Sequence, residues 1–176
     1  SFYYTTDGST PSALSKKVTG DFYVDSSVTI KAIAIHKNGD KSFVTTARYT
    51  KMPHNWTIKL NTPYEQQYDG NGENGLIDNI RGEVDWRKGN WQGYQKTDLD
   101  AVIDLQEVKQ VSKITIGLLQ DSGPWIIMPK QIIIEVSNDN KNFMQVYSGQ
   151  NFLPVEDAKP QIKNVEAVFT SVSARY

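Results

Sequence analysis

The sequence predicts an all-β protein built from two units. Short runs of alternating or β-branched residues recur along the chain, each bounded by Gly, Pro, Asn, Asp or Ser. No 3.6-residue apolar period reaches helical length. Asn38-Gly39 lies between two such runs, and both residue types tolerate the positive φ of a tight hairpin.

In order along the chain, residues 2–6 (FYYTT) read as the first strand. Asp7-Gly8-Ser9-Thr10-Pro11 closes it with strong turn chemistry. Residues 28–35 (VTIKAIAI) and 43–49 (FVTTARY) are the arms of the Asn-Gly hairpin, which makes 1–51 a small all-β unit. Residues 52–55 are a short linker holding Pro53. Residues 56–60 (WTIKL) alternate and open a second unit, 56–176. The polar, Gly-, Asn- and Gln-rich stretch 61–74 reads as loop. Further strands are expected at 101–105 (AVIDL), 111–119 (VSKITIGLL), 131–137 (QIIIEVS), 143–147 (FMQVY), 165–169 (VEAVF) and 171–176 (SVSARY). A polar hairpin loop is expected at 138–142. Short strands at such spacing suggest a sandwich or jelly roll.

Composition excludes several functions. Hydrophobic residues make up 38% and charged residues 22%, the balance of a globular chain. With 19 basic and 20 acidic residues the net charge is -1, and no basic stripe offers itself to nucleic acid. No apolar run approaches the ~20 residues of a membrane span. The absence of cysteine removes disulfides, thiolate metal sites and a cysteine nucleophile. His36 and His54 lie far apart and show no metal-type spacing. No G-x-S-x-G or phosphate-cradling glycine loop is found. Glycoside hydrolysis needs two carboxylates across a cleft. Asp98, Asp100 and Asp104 surround a strand and are more simply turn and edge residues.

Two stretches resemble known families. YYTTDGSTPS, then TIKAIAIHKNGDKS and a closing ARYTK, resemble the small immunoglobulin-like module near the C-terminus of chitobiases and β-hexosaminidases. GLIDNIRG, then GNWQGYQKTDLDAVIDLQEVKQVSKITIGLLQD, then WIIMPKQIIIEVSNDNKNF and a final VSARY, resemble a discoidin domain. That type is also called factor V/VIII type C, and bacterial members are classed as family 32 carbohydrate-binding modules. The resemblance implies an Ig/fibronectin-III-like β-sandwich followed by a discoidin-type β jelly roll, with the chain trimmed at both ends. The catalytic barrel of hexosaminidases takes ~250 residues and does not fit in this chain. The resemblance therefore implies a non-catalytic piece of a secreted, periplasmic or cell-surface bacterial β-N-acetylhexosaminidase.

Two loops, 81–94 and 120–125, carry Trp86, Trp91 and Trp125. Function concentrates on loops held by a rigid frame. Aromatic rings stack on the apolar faces of sugars, and fixed charged groups bond hydroxyls. The candidate carbohydrate contacts are Arg81, Trp86, Trp91, Tyr94, Asp121 and Trp125. Each has a plainer alternative: loop packing for the aromatics, core packing for Trp91, a surface ion pair for Arg81 and Asp121. The implied partners are glycans with N-acetylhexosamine or galactose-type residues and the catalytic domain of the same polypeptide, with no nucleic acid and no membrane span. No cofactor is required. The discoidin resemblance adds a structural calcium as an option at Asp78 and Asp85, held by oxygen ligands. Asn79 departs from the pattern there, standing where glycine is usual, and Asp78 bracing a turn is the competing explanation. Two readings stay open: a carbohydrate-binding ancillary region that targets an enzyme to glycans, or a structural module that steadies a catalytic domain or docks another protein.

Overall fold

The computed structural model describes residues 1–150, 152–154 and 156–176. The chain divides into two compact units, Ser1–Pro53 and His54–Tyr176.

The first unit is one antiparallel sheet of β1 (Phe2–Thr5), β2 (Lys16–Lys17), β3 (Val28–Ala34) and β4 (Thr45–Tyr49), ordered β2-β1-β3-β4. β1 lies along β3 with Tyr3 opposite Ile33, and β3 along β4 with Ile30 opposite Ala47. Ile33 is the buried apolar side chain of this sheet. The Asp7 turn is tightly held: its carboxylate accepts from Ser9 N–H (3.0 Å) and Ser9 Oγ (2.6 Å). These bonds hold the Asp7 carboxyl below its usual range. The Asn38-Gly39 turn closes as the sequence indicates, with Gly39 at φ 93° and His36 N–H donating to Asp40 O at 2.9 Å.

The second unit contains three antiparallel ladders. β5 (Thr57–Leu60) pairs with β6 (Ala101–Asp104), β7 (Lys109–Gln120) with β10 (Gln161–Ala174), and β8 (Gln131–Val136) with β9 (Met144–Gln150). Leu119, Val136, Val165, Ala167 and Ala174 are buried. Alternation along β10 buries Val165 and Ala167 and turns Glu166 and Val168 outward, as a sheet with one covered face requires.

The last residues sew these ladders together. Leu105 N–H donates to Arg175 O (2.9 Å), Ser137 N–H to Tyr176 O (2.9 Å), and the N–H groups of Arg175 and Tyr176 to Ser137 O (2.9 and 2.8 Å). Arg175 also clasps Asp104 at the end of β6, Nε to Oδ1 at 2.8 Å and Nη2 to Oδ2 at 2.9 Å. Beside it, the 138–142 turn closes on Asp139, which accepts from Lys141 N–H (2.9 Å), Asn142 N–H (2.8 Å) and Asn142 Nδ2 (2.7 Å). That ring of donors drives the Asp139 carboxyl far below its usual range.

The all-β expectation holds, and the structure revises it in detail. The runs 165–169 and 171–176 are not separate strands. They belong to β10, which keeps pairing with β7 across an irregularity between Val168 and Val172. An irregularity of this kind absorbs extra residues without ending a strand. Arg175 and Tyr176 leave the ladder to reach Ser137. β2 escaped the sequence because a pair of lysines carries no strand signature.

The Asp104 carboxyl is held below its usual range, first by the Arg175 hydrogen bonds. A group whose folded value lies below its unfolded one, about 4 for Asp, stabilises the fold above that pH and loses the contribution as pH falls through the folded value. Asp104→Asn is therefore expected to lower the Tm near pH 7 and to lose that effect in strong acid, as read by circular dichroism melting. Equal melting temperatures near neutral pH would contradict the tie.

Candidate functional site

The segment between β5 and β6 folds back on itself. Glu65 N–H donates to Gly93 O (2.8 Å) and Gly93 N–H to Tyr68 O (3.0 Å). Short 3₁₀ turns at Gln66–Tyr68 and Trp86–Lys88 carry the chain around. The aromatic rings here serve the loop. Trp91 Nε1 donates to Glu83 O at 2.7 Å. The Trp91 ring covers Gly82 so closely that a Cβ there would run into Trp91 Cε2. Trp86 meets Tyr68 edge to face, centroids 5.7 Å apart, and the Arg87 guanidinium lies 4.5 Å from the Trp86 ring centroid. Tyr94 donates its hydroxyl hydrogen to Gln92 Oε1 (2.9 Å), and Gln92 Nε2 donates to Gly72 O (2.6 Å). Burial pushes the Tyr94 phenol upward.

Trp125 differs. It sits in the turn after β7, where Asp121 and Ile126 exchange two backbone hydrogen bonds of 2.9 and 3.0 Å. Trp125 N–H donates to Ser122 O at 3.1 Å, and the residue holds φ 65°. A bulky side chain at positive φ is uncommon and needs its surroundings to fix it. Trp125 is 86% exposed. The backbone is thus constrained while the ring stands in solvent. Asp121 is half-buried at the base of the same turn. Arg81 is exposed and reaches across to the middle of β7, its Nη1 lying 3.3 Å from where a Cβ on Gly117 would sit.

Residues 57–176 match the family model described as F5/8 type C domain. The chain belongs to the F5/8 type C family. Ahead of that domain, residues 1–46 match the model described as chitobiase/beta-hexosaminidase C-terminal domain. No curated protein matches the chain.

Within the F5/8 type C domain, Asp78 and Asp85 both brace turns. Asp78 accepts from Ile80 N–H (2.8 Å) and from Asn71 Nδ2 (2.9 Å), so N–H donors already face both of its oxygens. Asp85 caps the second 3₁₀ turn by accepting from Arg87 N–H at 3.2 Å. Among the described residues, no three His, Cys, Asp or Glu side chains gather as an ion-holding group. The donor set at Asp78 is that of a braced turn rather than a cation cradle. Asn79 replaces the usual glycine without strain on the pattern, because it takes φ 63°, a conformation asparagine tolerates.

Sequence reasoning missed Gln120. It is fully buried at the end of β7, and its Nε2 donates to Pro154 O (2.8 Å) and Asp157 O (3.1 Å). Ser122 Oγ donates to the same Asp157 carbonyl at 3.1 Å. The base of the Trp125 turn is therefore clamped to the carbonyls of Pro154 and Asp157 in the F5/8 type C domain. The available signal was a lone amide ending the apolar run ITIGLL.

Gly82→Ala forces a methyl group into the Trp91 ring. It is expected to destabilise the domain by about 1–3 kcal/mol, the usual range for overpacking, as measured by urea unfolding. Unchanged stability would mean that Trp91 is free to move off Gly82.

Proposed function

We propose that this chain is a non-catalytic, carbohydrate-binding ancillary region of a secreted, periplasmic or cell-surface β-N-acetylhexosaminidase. Its role is to hold the enzyme on glycans. The domain order supports this reading: a chitobiase/beta-hexosaminidase C-terminal domain precedes the F5/8 type C domain. No helix among the described residues is long and apolar enough to cross a membrane.

The observation that carries the binding role is Trp125. A tryptophan that is 86% exposed contributes little to its own fold, yet its backbone is pinned at positive φ and its base is clamped through Gln120 and Ser122. That suits a stacking platform prepared before its ligand arrives. A tryptophan buries roughly 150–250 Å² on contact, a gross gain of several kcal/mol at ~25 cal/mol/Å², most of it offset by association costs. One platform gives affinities of about millimolar to micromolar. Such weak binding serves a targeting module that acts beside a catalytic domain on a polymeric substrate.

A second reading has its own support. On the first unit, Leu14, Tyr23 and Phe43 are almost wholly exposed, at 97%, 98% and 96%. Exposed large apolar side chains of this kind also suit a module that steadies a catalytic domain or docks a protein.

Calorimetric titration with chitin oligosaccharides and galactosides separates the two. Binding should fall at least about tenfold in Trp125→Ala, with an unchanged Tm because the ring packs on little. Full binding by the variant removes Trp125 from the site, and no sugar binding by the parent leaves the structural role standing. The chain alone should release no chromophore from a nitrophenyl N-acetylglucosaminide.

A further inference from the structure

Arg175 and Tyr176 lie between the ends of β6 and β8 as a strand would. Tyr176 and Ser137 exchange both backbone bonds, N–H to O at 2.8 and 2.9 Å, the pattern of an antiparallel pair. Arg175 N–H reaches the same Ser137 carbonyl at 2.9 Å, which makes Arg175 the extra residue of a bulge. Its own carbonyl turns the other way and accepts from Leu105 N–H at 2.9 Å. Ser137 follows β8, and Leu105 follows β6. At this end the two strands therefore stand two ladder spacings apart, roughly 9–10 Å, with the width of one strand between them.

The edges that face this gap are unpaired. Asn61 N–H donates to Asp100 O (2.8 Å), and the same register carries the ladder to β5 through Val102 and Asp104. Backbone groups alternate sides along a strand, so those of Ala101 and Ile103 point into the gap. Counted from Ser137, the same alternation puts those of Ile133 and Glu135 there too. Among the described residues, none of these four makes a backbone bond across the gap.

The two rims are also in step. A strand in line with Tyr176, antiparallel to both rims, meets Ile103 and Val136 first, Val102 and Glu135 second, and Ala101 and Ile134 third. Ile103 and Ala101 share a face with Ile58 and Leu60, the less exposed residues of β5, and Val136 is buried. The first and third positions thus face the core. The second faces solvent beside Glu135, which is exposed and whose carboxylate has no partner among the described residues.

We propose that the gap between β6 and β8 accepts an extended peptide by strand addition, with an apolar residue, a cation and a second apolar residue at successive positions. Strand addition draws its affinity from main-chain bonds and its selectivity from alternate side chains. The two apolar residues cover Ile103, Val136 and Ile134, and the cation pairs with Glu135. Sugar binding at Trp125 is not required for it.

The test uses the isotope-labelled 176-residue chain and a capped peptide, Ile-Arg-Val-Thr-Ile, with NMR titration and amide hydrogen exchange as readouts. Binding should slow exchange at Ile103 and Glu135 and raise the Tm, since a ligand of the native state stabilises it. The peptide with Glu in place of Arg should bind at least about fivefold more weakly, because like charges directly opposite on a sheet repel. Glu135→Lys should reverse that order while keeping the Tm of the chain without peptide, since its side chain is exposed. N-methylation of the peptide's Arg should abolish binding by removing its backbone donor to Glu135 O. Unchanged exchange at Ile103 and Glu135 overturns the acceptor site. Equal binding of the N-methylated peptide overturns strand addition, and equal binding of the Arg and Glu peptides overturns the cationic position. Concentration-dependent association of the chain alone that protects the same amides gives the gap to a second copy and overturns the peptide.

Discussion

Two parallel charge-assisted bonds between Arg175 and Asp104 hold the second unit in one piece. Each of its ladders is only two strands wide, and a two-stranded ribbon is marginal in water. The end of β10 solves this by touching all three. Its own pairing belongs to the β7 ladder, its Arg175 carbonyl reaches Leu105 just past β6, and its final residues bond Ser137 just past β8. The Asp104 side chain is only 20% exposed, so the fork works in a partly dry setting where bidentate geometry counts. Burying Val136, Val165 and Ala174 depends on the same closure, because each lies on an element that this tie gathers.

A fixed frame lets the loops divide their tasks. The 61–94 segment uses its aromatic and amide side chains to order itself: Trp91 on Gly82, Trp86 on Tyr68, Tyr94 on Gln92. Arg81, Arg87 and the Lys88–Glu83 pair project from it, beside the partly exposed Leu76, Ile80 and Val84. The turn after β7 does the reverse. Its backbone and base are restrained, and its one large ring is left uncovered. Trp125 follows the end of β7, and Arg81 reaches the same strand at Gly117 from a different loop.

Much of the fold was legible in the sequence, for local reasons. Asn38-Gly39 specifies its hairpin through the positive φ of Gly39 and the bonds between Asn38 and Asp40, and the alternation in QIIIEV shows through because that strand buries one face. The resemblances rested on the ordered turns and strand motifs, and the family models match the same stretches. Longer-range facts were not legible. Nothing local tells VEAVF and SVSARY that they share one strand, since β7 supplies the continuity. Tryptophans in polar loops look alike in sequence. Which ring turns inward was decided by partners such as Gly82 and Tyr68, nine residues from Trp91 and eighteen from Trp86, respectively. Gln120 was invisible for the same reason, as its carbonyl partners lie beyond β9.

The central claim is a division between structural rings and a contact ring, and the indole N–H signals of the four tryptophans report on it directly. Titrating an isotope-labelled sample with an N-acetylated chitin oligosaccharide should shift the Trp125 indole resonance and leave that of Trp91, bonded to Glu83 O, in place. A Trp91 or Trp86 resonance that moves while Trp125 stays still would contradict it.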